Sequence, residues 1–439
     1  MDNFTLFDLM NGFDANASFQ IYIKEESLNR IGLDFNFIRE ITYGNSLDIS
    51  VYCIRDGKEG RASGTSTSAE EIKKLLTTAY NQALLNGKIE CNDPYQTTIK
   101  MSSVTMGDLE KGGTEGIEAK VRDAFNKVEC KGLEEKTATF EYGHIKLNIV
   151  NSRGGSGFWQ TPYARFKSKI TLKDEHSYAS GVKINSSNDI NKIDISGTIS
   201  SSLKASQLLL SPRKISPFNG PIVLSPSSAA KIMRSLIIAL SATNIINSTS
   251  FLKDAKTGSR IASKYFSLVE DPSIPDSEFS RPFDDQLTPT TKKVIIENGI
   301  LKTNLCDRNT AKKMGIEPTG NYFHKSIYLN GTSYKGISIT NAIVKNGVLG
   351  FDKLLSNIEE GVYIVDMYNP NPTDGKFSGS IKGVYIKDGK ISYAIKDAIV
   401  KSDLKEVLGS ITSASSESET FENINVPYLV VDNITITSL

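Results

Sequence analysis

The sequence is poor in the residues that most often build metal and redox sites. Its 439 residues include three histidines and four cysteines. No two cysteines form a CxxC pair and no two histidines form an HxxxH or HExxH pair, so the usual zinc-binding spacings are missing. Four cysteines in a chain of this length do not describe a disulfide framework, and we interpret them as reduced thiols of a cytosolic protein.

An excess of charge and long apolar runs are also lacking. The 51 basic and 50 acidic residues leave a formal net charge of +1, which argues against direct nucleic-acid binding. The opening MDNFTLFDLM has no apolar core of a signal peptide, and no apolar run approaches the roughly 20 residues that span a bilayer. We therefore expect a cytoplasmic protein with no membrane segment.

The composition is that of a globular chain with more than one core. Hydrophobic residues make up 39% and charged residues 23%, and the length suggests two or three domains. The alternation of strand-like and helix-like segments predicts an α+β fold with two domains of mixed or antiparallel sheets, helices packed against them, and a cleft. The Pro- and Gly-rich SPRKISPFNGP sets the boundary, giving domains 1–215 and 216–439. A further division of the first into about 1–95 and 112–215 is left open.

Several local patterns in the first half predict defined elements. Asp56-Gly57 between apolar runs indicates a β-hairpin. Ser68 is placed to cap a helix whose apolar positions form one stripe. Strands are predicted at Thr137–Tyr142 and Ile145–Val150. The Gly-rich segment at 151–157 lacks the Lys-Ser/Thr of a phosphate loop and is interpreted as a hairpin turn.

The second half opens with a strongly amphipathic helix. Ser225 is a suitable cap and Pro226 a suitable first residue, and apolar side chains then recur at helical spacing from Ala229 to Leu240. Near the end, the Ser- and Glu-rich TSASSESET is interpreted as a loop that leads into the final strands.

The stretch at 281–321 has four parts in a distinctive order. It begins with the polar loop Pro282-Phe283-Asp284-Asp285. A hairpin with an Asn298-Gly299 turn follows. A short helix around Asp307–Met314 comes next, which Gly315 can stop. Pro318-Thr319-Gly320-Asn321 closes the stretch as a turn.

This order resembles the C-terminal domain of the TldD/PmbA (TldE) family, known as modulators of DNA gyrase and as a peptidase family. That family has an FDDEG-x-P loop, an ENG turn, a D-R-x-T-A segment and an STGN loop. The matching residues here are Phe283-Asp284-Asp285 with Pro289, Glu297-Asn298-Gly299, Asp307-Arg308 with Thr310-Ala311, and Thr319-Gly320-Asn321. The departures are Gln286-Leu287 in place of Glu-Gly, and Pro318 in place of Ser. The resemblance continues into a later tGdFS-like segment that contains Phe377-Ser378.

The resemblance also shows what is missing. In the TldD branch, the helix that opens the C-terminal domain carries HExxxH, and a cysteine near the C-terminus adds a zinc ligand. Here the helix reads AAKIMRSLIIALSA, with Arg234 and Ser235 near the expected His-Glu pair, and FENINVPYLVVDNITI has no cysteine. A permanently cationic arginine repels zinc. The chain therefore resembles the PmbA/TldE branch, and we predict no catalytic residue, no metal and no cofactor.

The resemblance implies a set of residues that face a cleft or a partner. They are Asp284, Asp285, Arg308, Thr319, Gly320, Asn321, Phe377 and Ser378. The two aspartates could act as a general acid/base pair, or they could accept hydrogen bonds from backbone amides in a turn. Ser378 could be a nucleophile only with a histidine that the sequence does not place beside it.

Three functions follow. The resemblance implies a metal-free subunit that pairs with an HExxxH-bearing TldD, or a homodimer, within a peptidase acting on unfolded or flexible peptides such as peptide-antibiotic precursors or antitoxins. A second hypothesis is a metallopeptidase in its own right, with ligands scattered across the domains. A third is a homo-oligomeric protein that binds extended peptides by strand addition without cutting them.

Overall fold

The structure is a computed structural model that describes residues 2–34, 37–87, 100–104, 113–326, 334–368 and 375–438. The α-helices of these residues are α1 (Asn3–Asn11), α2 (Ala69–Leu85), α3 (Gly113–Asn126), α4 (Ile195–Leu208), α5 (Pro226–Ala239), α6 (Ala242–Ile246), α7 (Arg308–Met314), α8 (Phe351–Ser356) and α9 (Leu404–Gly409). The strands of the first half are β1 (Ala17–Asp34), β2 (Phe37–Arg55), β3 (Lys58–Gly64), β4 (Lys100–Val104), β5 (Leu133–Asn151), β6 (Ser156–Lys173) and β7 (Tyr178–Ser187). The strands of the second half are β8 (Arg213–Lys214), β9 (Phe218–Leu224), β10 (Leu268–Glu270), β11 (Lys293–Glu297), β12 (Ile300–Leu301), β13 (Tyr322–Ser326), β14 (Tyr334–Ile337), β15 (Ala342–Val344), β16 (Glu360–Met367), β17 (Lys376–Lys387), β18 (Lys390–Asp403), β19 (Ile411–Phe421) and β20 (Ile424–Ser438).

The first sheet contains β1 to β7. Its order is β3-β2-β1-β5-β6-β4, with β7 also paired to β6, and its pairs are antiparallel except β4 with β6. The predicted hairpin turn has φ values of 51° at Asp56 and 74° at Gly57, the positive pair that a two-residue turn of this type needs. The Gly-rich turn between β5 and β6 is closed by Asn151, whose Oδ1 accepts a hydrogen bond from Gly155 N at 2.9 Å.

Two pairs of helices pack against this sheet. The α1 and α2 helices bury one apolar cluster and α3 and α4 bury another. Ser68 caps α2 as predicted, with its side chain accepting a hydrogen bond from Glu71 N. The buried residues of α2 are the predicted stripe, Ile72, Leu75, Leu76, Ala79 and Ala83.

The second sheet is mixed, as the α+β prediction requires. It has eleven strands, in the order β12-β11-β10-β15-β20-β9-β16-β17-β18-β8, with β19 on β20, while β13 and β14 form a separate pair. The β15–β20, β9–β16 and β8–β18 pairs are parallel. Helix α5 begins as predicted, with Ser225 as cap and Pro226 in its first turn, and its apolar side is buried against this sheet.

Two local predictions were wrong. TSASSESET is not a loop, because it lies within β19, which pairs with β20. As β19 pairs with β20 along one side, its serines and glutamates can face water while Ala414 and Ser415 are buried. The two strands predicted around Gly143 are the single β5, because a Cβ at this glycine would lie 1.8 Å from Ser27 O and only glycine permits so close an approach of β1.

The two sheets draw on separate parts of the chain, the first on residues 17–187 and the second on residues 213–438. The predicted domain limits of 1–215 and 216–439 stay a prediction. The described residues include no helix that is long and apolar enough to cross a membrane.

Candidate functional site

The polar loop at 281–290 is a closed turn that the first of its aspartates stabilises. Asp284 is completely buried. Its Oδ1 accepts hydrogen bonds from Gln286 N and Thr288 N, each at 2.9 Å, and its Oδ2 accepts one from Tyr322 N at 3.1 Å. Of the two roles considered for Asp284, this geometry is that of an acceptor of backbone hydrogen bonds in a turn.

The environment of Asp284 also changes its acidity. Burial raises the pKa of Asp284 to about 6, although the three backbone N–H donors favour the ionised form. The carboxyl group has no exposed surface, so proton exchange with a peptide would require the loop to open.

The second aspartate connects the loop to both halves of the chain. Asp285 Oδ1 accepts a hydrogen bond from Arg281 Nη2 at 2.6 Å, and its Oδ2 accepts one from His324 N, also at 2.6 Å. Its backbone N–H donates to Tyr322 O at 2.8 Å, and its carbonyl accepts a hydrogen bond from Gln20 Nε2 of β1 at 2.8 Å. Asp285 is therefore fully engaged in holding the loop against β1 and β13.

Apolar side chains of the same loop are inserted against the first sheet. Phe283 and Leu287 are completely buried. Their cluster also contains Tyr22, Ile145, Leu147, Ile149, Trp159 and Tyr163. A Cβ at Gly157 would lie 2.6 Å from Leu287 Cδ2 and 2.8 Å from Phe283 Cζ, so glycine provides the space for the loop. The Arg281 guanidinium lies 5.3 Å from the Trp159 ring centre and completes the contact. The loop is thus a joint between the two sheets.

Two further predicted residues support this joint. Arg308 donates from its backbone N–H to Gln286 Oε1 at 3.0 Å and from Nε to Thr288 Oγ1 at 3.1 Å. Thr319 Oγ1 accepts a hydrogen bond from Cys306 N at 2.8 Å and donates to Cys306 O at 2.9 Å. The two ends of the α7 segment are therefore tied together and to the loop.

Gly320 and Asn321 lie at the back of the joint. Gly320 has φ 70°, and a Cβ there would lie 2.4 Å from Pro289 O. Asn321 is completely buried, and its Nδ2 donates to Ser338 O at 2.7 Å and to Glu270 Oε2 at 2.9 Å. Gly320 is therefore needed for close packing against Pro289, and Asn321 is held by hydrogen bonds within the chain.

Sequence reasoning missed Glu270, the carboxylate at the centre of this network. Glu270 is completely buried. It accepts hydrogen bonds from Lys293 Nζ at 2.7 Å and from both the backbone N–H and the Oγ1 of Thr340 at 2.8 Å. The available signal was a glutamate that ends a short apolar strand, which is unfavourable unless the carboxylate has partners.

Phe377 and Ser378 lie elsewhere in the fold. They are at the start of β17, where Phe377 is opposite Ser402 and Ser378 is opposite Lys401. Ser378 is exposed and, within the described ranges, shares no hydrogen bond with the other candidate residues. The structure therefore brings six of the eight candidates together around the joint, with Arg308 and Thr319 partly exposed, and places these two on another strand. A direct role for any of the eight at a cleft or partner surface stays a prediction.

The residues of α5 do not fit a zinc ion. Read from position 234, the HExxxH spacing falls on Arg234, Ser235 and Ala239. The Arg234 guanidinium pairs with the carboxylate of Glu422, whose side chain is fully buried. One turn earlier, Lys231 Nζ pairs with Asp366 Oδ1 at 2.6 Å. This side of the helix therefore presents cations, which repel a metal ion, and no metal-binding side chain.

The histidines are dispersed. His144 lies on β5, His176 lies in the turn after β6, and His324 lies on β13. The His324 ring stacks on Tyr52 with centres 4.6 Å apart and has Nδ1 3.0 Å from the Tyr52 hydroxyl. Over the part of the chain that the structure describes, no three His, Cys, Asp or Glu side chains are grouped to hold a metal ion.

Next to α5, a cleft separates β7 from the second sheet. Lys183 of β7 and Glu419 of β19 form an ion pair across it at 3.1 Å. Cavities of about 330 and 500 Å³ open at the cleft, and Lys183 and Ile184 line both of them. Such volumes lie within the usual range for ligand pockets.

Comparisons with known proteins agree with this architecture. Residues 218–438 match the family described as the PmbA/TldA metallopeptidase C-terminal domain. The chain is 22% identical to a metalloprotease PmbA homolog of Buchnera aphidicola, over 97% of this chain and 94% of that protein. It is also 22% identical to a metalloprotease TldD homolog of the same organism, over 93% and 86% of the two chains. The crystal structure of TldE from Thermococcus kodakarensis has the same fold, with a TM-score of 0.83 at 19% identity over 99% of each chain. The chain belongs to the PmbA/TldD family.

Proposed function

We propose that this chain is the metal-free, TldE-like subunit of a TldD/TldE-type peptidase. It acts with an HExxxH-bearing partner on unfolded or flexible peptides. The observation that carries the proposal is the ion pair of Arg234 with the buried Glu422, near the position where the TldD branch has a zinc ligand. Hydrolysis by a zinc enzyme needs three protein ligands and an open coordination position, and α5 supplies none of these ligands.

The retained scaffold supports a role within the assembly. The family match covers every strand of the second sheet except β8, and the structural likeness to TldE extends along nearly the entire chain. A chain that keeps this architecture around a cationic helix is suited to complete a peptide chamber whose reactive groups come from another subunit.

A second candidate is a homo-oligomeric protein that binds extended peptides without cutting them. The cleft beside β7 favours it, because an open strand edge can pair with an extended peptide. The two candidates differ in whether cleavage appears when a TldD-type subunit is added.

The test uses the full-length chain, alone and co-expressed with a TldD-type subunit. Zinc is measured by elemental analysis, and cleavage is measured on fluorescently labelled unfolded casein. We expect no stoichiometric zinc and no cleavage from the chain alone, and cleavage only from the pair. A partner whose HExxxH glutamate is changed to glutamine is the control, because it lacks the general base.

Each other result has a distinct meaning. Stoichiometric zinc together with cleavage by the chain alone would identify a peptidase in its own right and overturn the proposal. Casein binding with no cleavage in the presence of an active TldD-type subunit would favour the binding protein.

A further inference from the structure

The cleft beside α5 has an open strand edge as one wall. β7 pairs with β6 from Tyr178 to Ser187 and, among the described strands, with no other. The opposite wall is formed by α5, the end of β16, the middle of β17, and β19. An edge strand that faces a cleft offers unpaired backbone N–H and C=O groups to an extended ligand.

The walls are joined by a contact that opens easily. Lys183 and Glu419 form the bridging ion pair, and their side chains are 23% and 47% exposed. Exposed ion pairs contribute little to stability and are screened by salt, so a ligand can replace this one. The two cavities adjoin along β7, because Lys183 and Ile184 line both of them.

The smaller cavity is strongly basic. Its lining includes four lysines, Lys167, Lys183, Lys231 and Lys382. The only acidic residue in its lining is Asp366, which already pairs with Lys231 at 2.6 Å. Lys167 and Lys382 are exposed and form no ion pair with any described residue. Since Lys183 pairs with Glu419, the uncompensated positive charge of this cavity of about 330 Å³ is that of Lys167 and Lys382.

The larger cavity differs because four of its five acidic residues have cationic partners, while the fifth, Asp194, caps α4 and accepts a hydrogen bond from Gly197 N. Asp276 pairs with Lys192 at 2.5 Å. Glu278 pairs with Arg165. Glu422 pairs with Arg234, and Glu419 pairs with Lys183. The unpaired positive charge of the cleft therefore lies in the lysine-lined cavity.

We propose that the lysine-lined cavity binds a carboxylate group of an extended peptide whose backbone pairs with the outer edge of β7. The ligand class rests on the proposed function, whereas the charge and the edge are features of the cleft itself. Lysine ammonium groups bind carboxylates as mobile point charges, so the cavity selects for charge and tolerates different side chains. Val182 and Ile184 also line this cavity and provide apolar contact for the peptide.

Peptide composition gives the first test. Fluorescein-labelled Gly-Ser-Ala-Ser-Ala-Ser-Asp-Glu is titrated with the full-length chain, and binding is followed by fluorescence anisotropy. Peptides ending in Asn-Gln or Lys-Lys, each as free acid and as C-terminal amide, separate a side-chain carboxylate from the terminal one. We expect the acidic peptide to bind most tightly and to weaken as salt is added. Equal affinity for the acidic and the amidated Asn-Gln peptides would overturn the proposal.

Lysine substitutions give the second test. Lys167→Gln and Lys382→Gln should each raise the Kd of the acidic peptide about threefold, and the double variant about tenfold, because an exposed ion pair changes a Kd by at most about fivefold. Lys396→Gln is the matched control, since Lys396 is an exposed strand lysine outside both cavities. Equal Kd values for the double variant and this control would overturn the proposal.

Backbone methylation tests the strand pairing. Two acidic peptides are N-methylated at alternate residues, with the two patterns offset by one residue. Because alternate N–H groups of an extended peptide point to opposite sides, each pattern removes the hydrogen-bond donors along one edge of the peptide. We expect one pattern to abolish binding and the other to preserve it, and equal binding of both would exclude pairing with β7. These binding assays are independent of zinc content and casein cleavage. Partner-dependent cleavage that the lysine variants leave unchanged would refute only the carboxylate subsite.

Discussion

The ion pair between α5 and the second sheet can be tested by removing each partner in turn. The side chain of Glu422 is 0% exposed and that of Arg234 is 14% exposed. Glu422 also has φ 57°, a left-handed conformation that is unfavourable for a glutamate. Contacts with neighbouring residues must therefore hold Glu422 in the turn between β19 and β20. The ion pair with the Arg234 guanidinium is one of these contacts.

The expected magnitudes follow from burial. Arg234→Met removes the cation that faces a fully buried carboxylate, which should lower the free energy of unfolding by about 3–5 kcal/mol. Glu422→Gln should cost less, because Arg234 keeps partial access to water. The double variant removes both charges and should cost less than either single change, since apolar or neutral replacements of a buried pair are often near neutral.

Urea denaturation followed by far-UV circular dichroism at neutral pH measures these differences. Lys231→Met is the matched control on the same helix, because its partner Asp366 is 45% exposed and such a pair contributes at most about 1 kcal/mol. Additive costs in the double variant, or a loss in Arg234→Met no larger than in the control, would refute the reasoning.

Two further predictions concern the joint between the sheets. The pKa of Asp284 is raised from 3.8 to about 6, so its contribution to stability is fully present below about pH 4 and is lost as pH rises through about 6. Relative to Asp284→Asn, the native chain should therefore lose about 3 kcal/mol of unfolding free energy between about pH 4 and 7.5, and a pH-independent difference would contradict this. Gly157→Ala would place a Cβ 2.6 Å from Leu287 and 2.8 Å from Phe283, and should lower stability by about 1–3 kcal/mol in thermal unfolding. Gly116→Ala in α3 meets nothing within 4 Å and should leave stability unchanged or raise it by up to about 1 kcal/mol, which makes it the control.

Features set by short-range rules could be predicted from the sequence. The Asn298-Gly299 turn has φ values of 47° and 79°, as the pair requires. Asp307 caps α7 and Gly315 ends it in a left-handed conformation. These elements depend on residues within one turn of each other, so composition and spacing are sufficient.

Features set by distant contacts could not be predicted. The serine-rich β19 is a strand because β20 supplies its hydrogen-bonding partner. Whether the loop at 281–290 would be buried depended on the space that Gly157 of the first sheet leaves for Phe283 and Leu287, about 130 residues away in the sequence. Six of the eight candidate residues lie around the joint between the sheets and two lie on β17, and the burial of Asp284, Asp285 and Asn321 comes from packing that no local pattern encodes.

The joint formed by the loop at 281–290 affects how related sequences can be classified as peptidases. The Phe283-Asp284-Asp285 motif of this loop joins the two sheets of the chain. A subunit that cleaves peptides and a subunit that does not would both need this motif. A genome survey that counts proteases by this signature would therefore count silent subunits as well. The turn of α5 around Arg234 distinguishes the two kinds of subunit better, because a cationic side chain there takes the place of a metal ligand.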